Sequence, residues 1–387
     1  MAVQFIDSFV NLEFPRGEHL HCMVAQVPVR LRGPDHTLAL EDPERQWSVV
    51  LSVLDRVAAG ERLRKLHFLV FPESSVPAAR FDDMLEQVRA RANPNTVTIF
   101  GLEHVPLDVY REALDANRGD NGAALALVDH DLHGGVPPNL PVNWCCIAVK
   151  EGSGRVRAFL EAKTHPFHGE EFVNKVNDLY RGRHFYFLRS EPSCFNFMAL
   201  ICLDYLYRDV YSSNIRQIID YANQLFFSTR QGLDALFVIQ ANPKPEHRAY
   251  WEVLSGFYGE YLEQTPGVRE TVTVFANCSD ESAIEGEDEG KFGVSSVVGG
   301  RQHRLMKVQE HEFRTDDFDG APLCRLRFGT ATRLFYFNLP EGHVLDPRSS
   351  RVPLKVHLIM HRVPGAWREE LKVPWPSDPP PRSPVKP

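Results

Sequence analysis

Phe197-Met198-Ala199-Leu200-Ile201 is an unbroken apolar run that stops on Cys202-Leu203-Asp204. A run of about four to eight residues that is apolar on both alternations suits a strand buried on both faces. Six more runs of this kind stand at residues 21–27, 66–71, 96–100, 143–149, 233–240 and 271–276. Stretches with helical spacing lie among them. Trp47, Val50, Leu51 and Leu54 make one apolar stripe. Phe81, Met84, Leu85 and Val88 make a second, with Asp82 and Asp83 suited to the first turn. Tyr250, Val253, Leu254 and Phe257 make a third, after Pro243-Lys244-Pro245. Strands alternating with helices predict an α/β fold.

Two of the runs end on groups that carry chemistry. Residues 66–71 lead into Pro72-Glu73, and the run at 197 leads into Cys202. A third segment, Ala162-Lys163-Thr164-His165, follows residues 155–161. In open α/β sheets, reacting groups collect at the carboxyl ends of strands. A partly desolvated glutamate there can serve as a base. A thiol becomes a nucleophile when a base or cation helps it lose its proton. A lysine can stabilise an oxyanion, assisted by the Leu203 backbone N–H that follows the cysteine. Taken singly, each has a plainer reading: a solvated loop carboxylate, a small core residue, a solvated lysine.

Together, in order and at separations of 90 residues (73 to 163) and 39 residues (163 to 202), these segments resemble the nitrilase superfamily of carbon–nitrogen hydrolases. The likeness extends to other segments. His21-Cys22-Met23-Val24-Ala25-Gln26-Val27-Pro28 resembles the family's first strand. Asn143 with Gly152-Ser153-Gly154-Arg155-Val156 resembles the hairpin before the lysine, and Gly232-Leu233-Asp234-Ala235-Leu236 the strand after the cysteine. Ala276-Asn277 and Phe292-Gly293-Val294-Ser295-Ser296-Val297-Val298 resemble later family segments. The likeness covers roughly residues 18–340.

The resemblance implies a four-layer αββα sandwich with insertions, often dimerised, so a homodimer or higher homo-oligomer is expected. It implies Glu73 as base, Lys163 as oxyanion stabiliser and Cys202 as the nucleophile of a thioester acyl-enzyme. A second glutamate between the lysine and the cysteine is common in the family, and Glu170 and Glu171 are the candidates. The expected activity is a thiol amidohydrolase of the amidase type, acting on a small amide, carbamoyl or ureido compound with no cofactor. The chain departs from the pattern in two places. Leu203 stands where the family usually has Tyr or Trp. Residues 205–214 lack the usual Pro-Glu and compact helix. These departures, the insertion and the tail support an alternative: a sensor or partner-binding module that keeps the fold with little or no hydrolase activity.

Residues 1–345 are assigned to the nitrilase-like domain, with an insertion at about 107–140. Residues 346–372 are a C-terminal extension, and proline-rich residues 373–387 are expected to be an extended, disordered tail, or a linker within a larger protein. Six acids crowd residues 279–291, which read as a solvated loop.

The 387 residues carry 43 basic and 51 acidic side chains, a net charge of −8, which argues against nucleic acid as the main partner. Seven cysteines, an odd number with no C-x-x-C pair, fit a reducing compartment. Glu13, Arg16, Glu18 and His19 follow Phe9-Val10 too closely for a signal peptide, and no stretch of 18 apolar residues could span a membrane. A cytoplasmic protein is expected. His165, His168 and Glu170, like His130 and His133, fall short of a metal-ligand set. Gly286 to Lys291 is too short and too acidic for a phosphate loop.

Overall fold

The computed structural model describes residues 3–14, 20–33, 38–166, 170, 179–207, 213–229, 231–257, 266–268, 271–286, 291–300, 314–316, 323–339 and 356–370. It is a mixed α/β structure with two eight-stranded sheets and one of three short strands. In spatial order, the first large sheet runs Gln4–Leu12, His184–Pro192, Asn196–Ile201, Ala235–Gln240, Val272–Asn277, Ser296–Gly300, Leu323–Arg327 and Arg314–Asp316. The second runs Ala366–Glu370, Val356–Val363, Arg333–Leu339, Leu20–Gln26, Phe68–Val70, Thr96–Pro106, Pro141–Lys150 and Val156–Ala162. All seven apolar runs lie in these sheets, within one to three residues of their expected ends at most positions. Thr96–Pro106 continues past the expected end at 100.

The first sheet shows why its strands are apolar on both alternations. Phe197, Ala199, Ile201, Phe237, Ile239, Val274 and Ala276 belong to a core shared with the second sheet. Phe68 of that sheet stacks on Phe237 at 5.0 Å and meets Phe197 edge-on at 5.4 Å. The intervening residues Met198, Leu200, Leu236, Val238 and Phe275 pack instead on helices Asn214–Phe226 and Arg248–Gly256. A strand between another sheet and a helix layer has no polar face to show. Helix Asn214–Phe226 buries Ile215, Ile218, Ile219, Ala222 and Phe226, a single stripe at helical spacing.

Helices Pro43–Ala59 and Phe81–Arg91 pack against the second sheet through Val50, Val53, Met84, Leu85 and Val88. Asp42 caps the first by accepting the Arg45 N–H at 2.9 Å, and Pro43 opens its first turn. The region set aside as an insertion holds helices Leu107–Ala116 and Arg118–His133, with Leu107, Tyr110, Leu114, Ala124, Leu125 and Val128 in the core. Its polar stretch is helical from Arg118, with Asn117 as the capping residue and a kink at Asn121. Asn121 donates to the Ala158 carbonyl at 2.7 Å and accepts the Leu160 N–H at 2.8 Å. The kinked helix thus fills the edge of strand Val156–Ala162, where an unpaired ladder would otherwise face outward.

Within the segment separated from sequence as an extension, Val356–Val363 and Ala366–Glu370 form two strands of the second sheet, and Trp367 bonds Ser52 Oγ at 3.0 Å. Residues 373–387 lie outside the described residues. In the acidic segment, Asp280, Glu281 and Glu285 are exposed, while Ala283–Ile284 pairs with Arg30–Arg32 and buries Ile284. No described helix is long and apolar enough to cross a membrane.

Candidate active site

Glu73, Lys163 and Cys202 each follow a strand end, and the three ends meet. Glu73 sits just past Phe68–Val70 in a turn clamped to the neighbouring strand: Phe71 N–H bonds the Ile99 carbonyl at 2.8 Å and Val76 N–H bonds Gly101 at 3.0 Å. A Cβ at Gly101 would stand 2.5 Å from Glu73 Cα, so only glycine allows this approach. Lys163 follows Val156–Ala162, the second arm of the expected hairpin. Cys202 follows Asn196–Ile201 with φ 47° and ψ −102°, a conformation that costs a non-glycine residue about 1–3 kcal/mol. Its N–H is anchored on the Ile239 carbonyl at 2.8 Å. Leu203 opens a one-turn helix, Leu203–Leu206, which offers its N–H no acceptor.

The side chains form a closed charge network. Lys163 Nζ donates to Glu73 Oε1 at 2.8 Å and to Glu170 Oε2 at 2.9 Å, and Lys163 is fully buried. Asn143 donates to Glu73 Oε1 and Glu170 Oε1 at 2.7 and 2.6 Å. Ala241 N–H donates to Glu73 Oε2 at 2.8 Å, and His104 Nε2 lies 3.0 Å from Glu170 Oε1. Of the two candidates for a second glutamate, Glu170 is in this network, and Glu171 lies outside the described residues.

Burial alone would strip the Lys163 proton, but the charges of Glu170 and Glu73 outweigh it and hold the ammonium well above its ordinary pKa. Burial also opposes ionisation of Glu170, yet Lys163, with His104 and Asn143, holds its carboxyl down at about 2. Burial pushes the Cys202 thiol up and the Glu73 charge adds to this, while Lys163 and a bond with Tyr250 oppose it. The thiol is therefore protonated at rest. Its proton must leave as it attacks.

A third buried acid, Asp204, joins the lysine loop to the cysteine turn. Its Oδ1 accepts Thr164 N–H at 2.9 Å, Thr164 Oγ1 at 2.7 Å and His165 N–H at 2.9 Å. Asn214 Nδ2 ties the same loops, donating to Thr164 Oγ1 at 3.1 Å and the Asp204 carbonyl at 2.9 Å. Burial, opposed by the Thr164 bond and Lys163, pushes Asp204 up to about 7.

Sequence reading assigned no site role to Asn143, His104, Ala241 or Tyr250. Asn143 carried a signal, as a polar residue inside an apolar run; the other three carried none. Among the described residues, no three His, Cys, Asp or Glu side chains are placed to hold a metal ion. A scan against protein-family models and a search of curated proteins returned no match for this chain.

Proposed function

We propose that this chain is a thiol amidohydrolase of the nitrilase superfamily, built as that family's four-layer αββα sandwich. The observation that carries the reading is the buried Lys163 ammonium held between Glu73 and Glu170, coupled to a cysteine in a strained turn.

The hydrogen bonds around Glu73 support the following roles. A carboxylate offers about four lone-pair sites. On Glu73, Lys163 and Asn143 occupy Oε1 and Ala241 N–H takes one site on Oε2. The site left on Oε2 is the one to receive the Cys202 proton. As it does, sulfur bonds the carbonyl carbon and the C=O electron pair moves to oxygen. Lys163 and the Leu203 N–H meet that negative charge. Collapse re-forms the carbonyl, breaks the C–N bond and sends the nitrogen out with the proton from Glu73. Water repeats the sequence on the thioester. Glu170, whose charge acts on the thiol less strongly than that of Glu73, keeps Lys163 charged and fixed. The substrate class is a small amide, carbamoyl or ureido compound, and a homo-oligomer is the expected state.

The test is intact-protein mass spectrometry after brief exposure to a panel of amides, ureido acids and nitriles, with Cys202→Ala alongside and ammonia release followed in parallel. An adduct on the wild type alone, or ammonia release lost in the variant, supports the reading. Silence in both assays moves the weight to a ligand- or partner-binding module.

A further inference from the structure

Tyr250 lies on helix Arg248–Gly256, on the helix-packed side of the first sheet, and its hydroxyl is 3.7 Å from Cys202 Sγ. The ring is 6 % exposed and meets Phe275 edge-on at 6.3 Å. His247 caps this helix by accepting the Ala249 N–H at 3.2 Å, which fixes where the phenol enters. In the resting pair either atom can donate. Once sulfur has lost its proton, only the phenol can, and a hydrogen bond to an ionised acceptor is the stronger kind. Glu73 and Lys163 do not act on the sulfur from this helix.

Resting on the hydrolase reading, we propose that Tyr250 is a further catalytic residue, whose hydroxyl donates to the Cys202 sulfur as it becomes and leaves as a thiolate. In acylation the thiol proton passes to Glu73 while the S–C bond forms, and the Tyr250 hydrogen bond shortens onto the charged sulfur. In deacylation water gives its proton to Glu73 and bonds the carbonyl carbon. Collapse then breaks the C–S bond, and its electron pair departs on sulfur, again onto Tyr250. The proton on Glu73 returns to that sulfur. Burial keeps the phenol neutral well above its ordinary range, so its proton is present at any working pH.

The experiment reads the sulfur directly and needs no substrate. The alkylation rate of Cys202 by iodoacetamide is followed against pH in wild type and Tyr250→Phe, with the site located by peptide mass mapping. The less buried Cys194 serves as internal reference. Loss of the phenol is expected to raise the apparent pKa of alkylation by about one unit and slow labelling at pH 8 about tenfold. Site-specific 3-fluorotyrosine at position 250, a stronger donor of nearly the same shape, should move the profile the other way. If Tyr250→Phe does not fold, the fluorotyrosine protein decides. Profiles that superimpose on wild type overturn the role of Tyr250. A shifted profile with no acyl adduct and no ammonia release overturns the hydrolase reading instead, leaving Tyr250 as a residue that tunes a thiol.

Discussion

Asn143 donates an amide N–H to Glu73 Oε1 at 2.7 Å, and its other N–H goes to Glu170 Oε1 at 2.6 Å. The opposite amide orientation would aim its oxygen at two carboxylates, so the charges on either side fix which way it points. Asn143 therefore holds both acids at the separation that lets Lys163 bridge them.

Asn143→Leu should leave one lone pair on each buried acid without its partner. Hydrogen bonds to charged groups contribute about 1.5–3 kcal/mol each, so stability should fall by roughly 3 kcal/mol or more. Asn143→Asp should be worse at neutral pH, because it brings a third carboxylate to the pair. Urea unfolding monitored by circular dichroism reads both. A Leu variant whose midpoint stays at that of wild type would show that the clasp is not structural.

Lys163→Met removes the ammonium that bridges Glu73 and Glu170 and leaves two acids buried together. Breaking a buried pair in this way costs about 3–5 kcal/mol. The pH dependence gives a sharper test. The Glu170 carboxyl, held at about 2 against an ordinary 4.5, contributes stability that is present above pH 4.5 and lost as pH falls through 2. With the lysine gone, that acid-side loss should move upward in pH. Denaturation midpoints between pH 2 and 6 in wild type and variant check it; parallel curves would contradict the coupling.

Seven strands were readable because they lie between the two sheets, or between a sheet and helices, and are apolar on both alternations; His184–Pro192 and Arg333–Leu339, also largely buried, escaped notice. Gln4–Leu12 escaped notice because it is an edge strand, paired among the described residues with His184–Pro192 alone, and its mostly exposed or half-exposed residues show no continuous run. Of the two helices after Pro106, the first was expected and the second, Arg118–His133, escaped because Asn121 and Asp120 read as loop residues, whereas their side chains serve the backbone and Arg157 of the neighbouring strand. In the site, strand ends marked Glu73 and Cys202 and a hairpin marked Lys163. Their partners come from a strand interior, a helix and a backbone N–H far away in the chain: Ala241 is 168 residues from Glu73, and Tyr250 is 48 from Cys202. Those approaches depend on how the sheets stack, and no local pattern encodes that.

Asn121 offers a test of the edge-filling helix. Its amide serves both the Ala158 carbonyl and the Leu160 N–H, and Tyr186 Oη lies 3.0 Å from its Oδ1. Asn121→Leu would bury two backbone groups without partners, at about 1–3 kcal/mol each. A melting temperature several degrees lower is expected, with earlier hydrogen exchange at Leu160 than in the wild type. Unchanged exchange at Leu160 would mean that another group protects this edge.

Glu161 is a buried acid outside the proposed chemistry, and its pH behaviour should run opposite to that of Glu170. Its Oε1 accepts the Tyr186 N–H at 2.5 Å, linking the two sheets, and its Oε2 lies 3.9 Å from the Cys145 thiol. Burial, aided by the nearby Asp204 charge, holds its carboxyl well above the ordinary 4.5. A raised folded-state pKa contributes stability below pH 4.5 that is lost as pH rises toward the folded value. Asp204, raised from 3.8 to about 7, declines in the same direction. Glu161→Gln keeps an acceptor for Tyr186 and cannot ionise. Its stability relative to wild type should therefore increase from pH 5 to pH 8, by about 1.4 kcal/mol for each pH unit over which the wild-type acid stays protonated when folded. Thermal melts of both proteins across that range decide the matter: a difference that stays flat with pH would mean that Glu161 does not bind its proton more tightly in the folded protein.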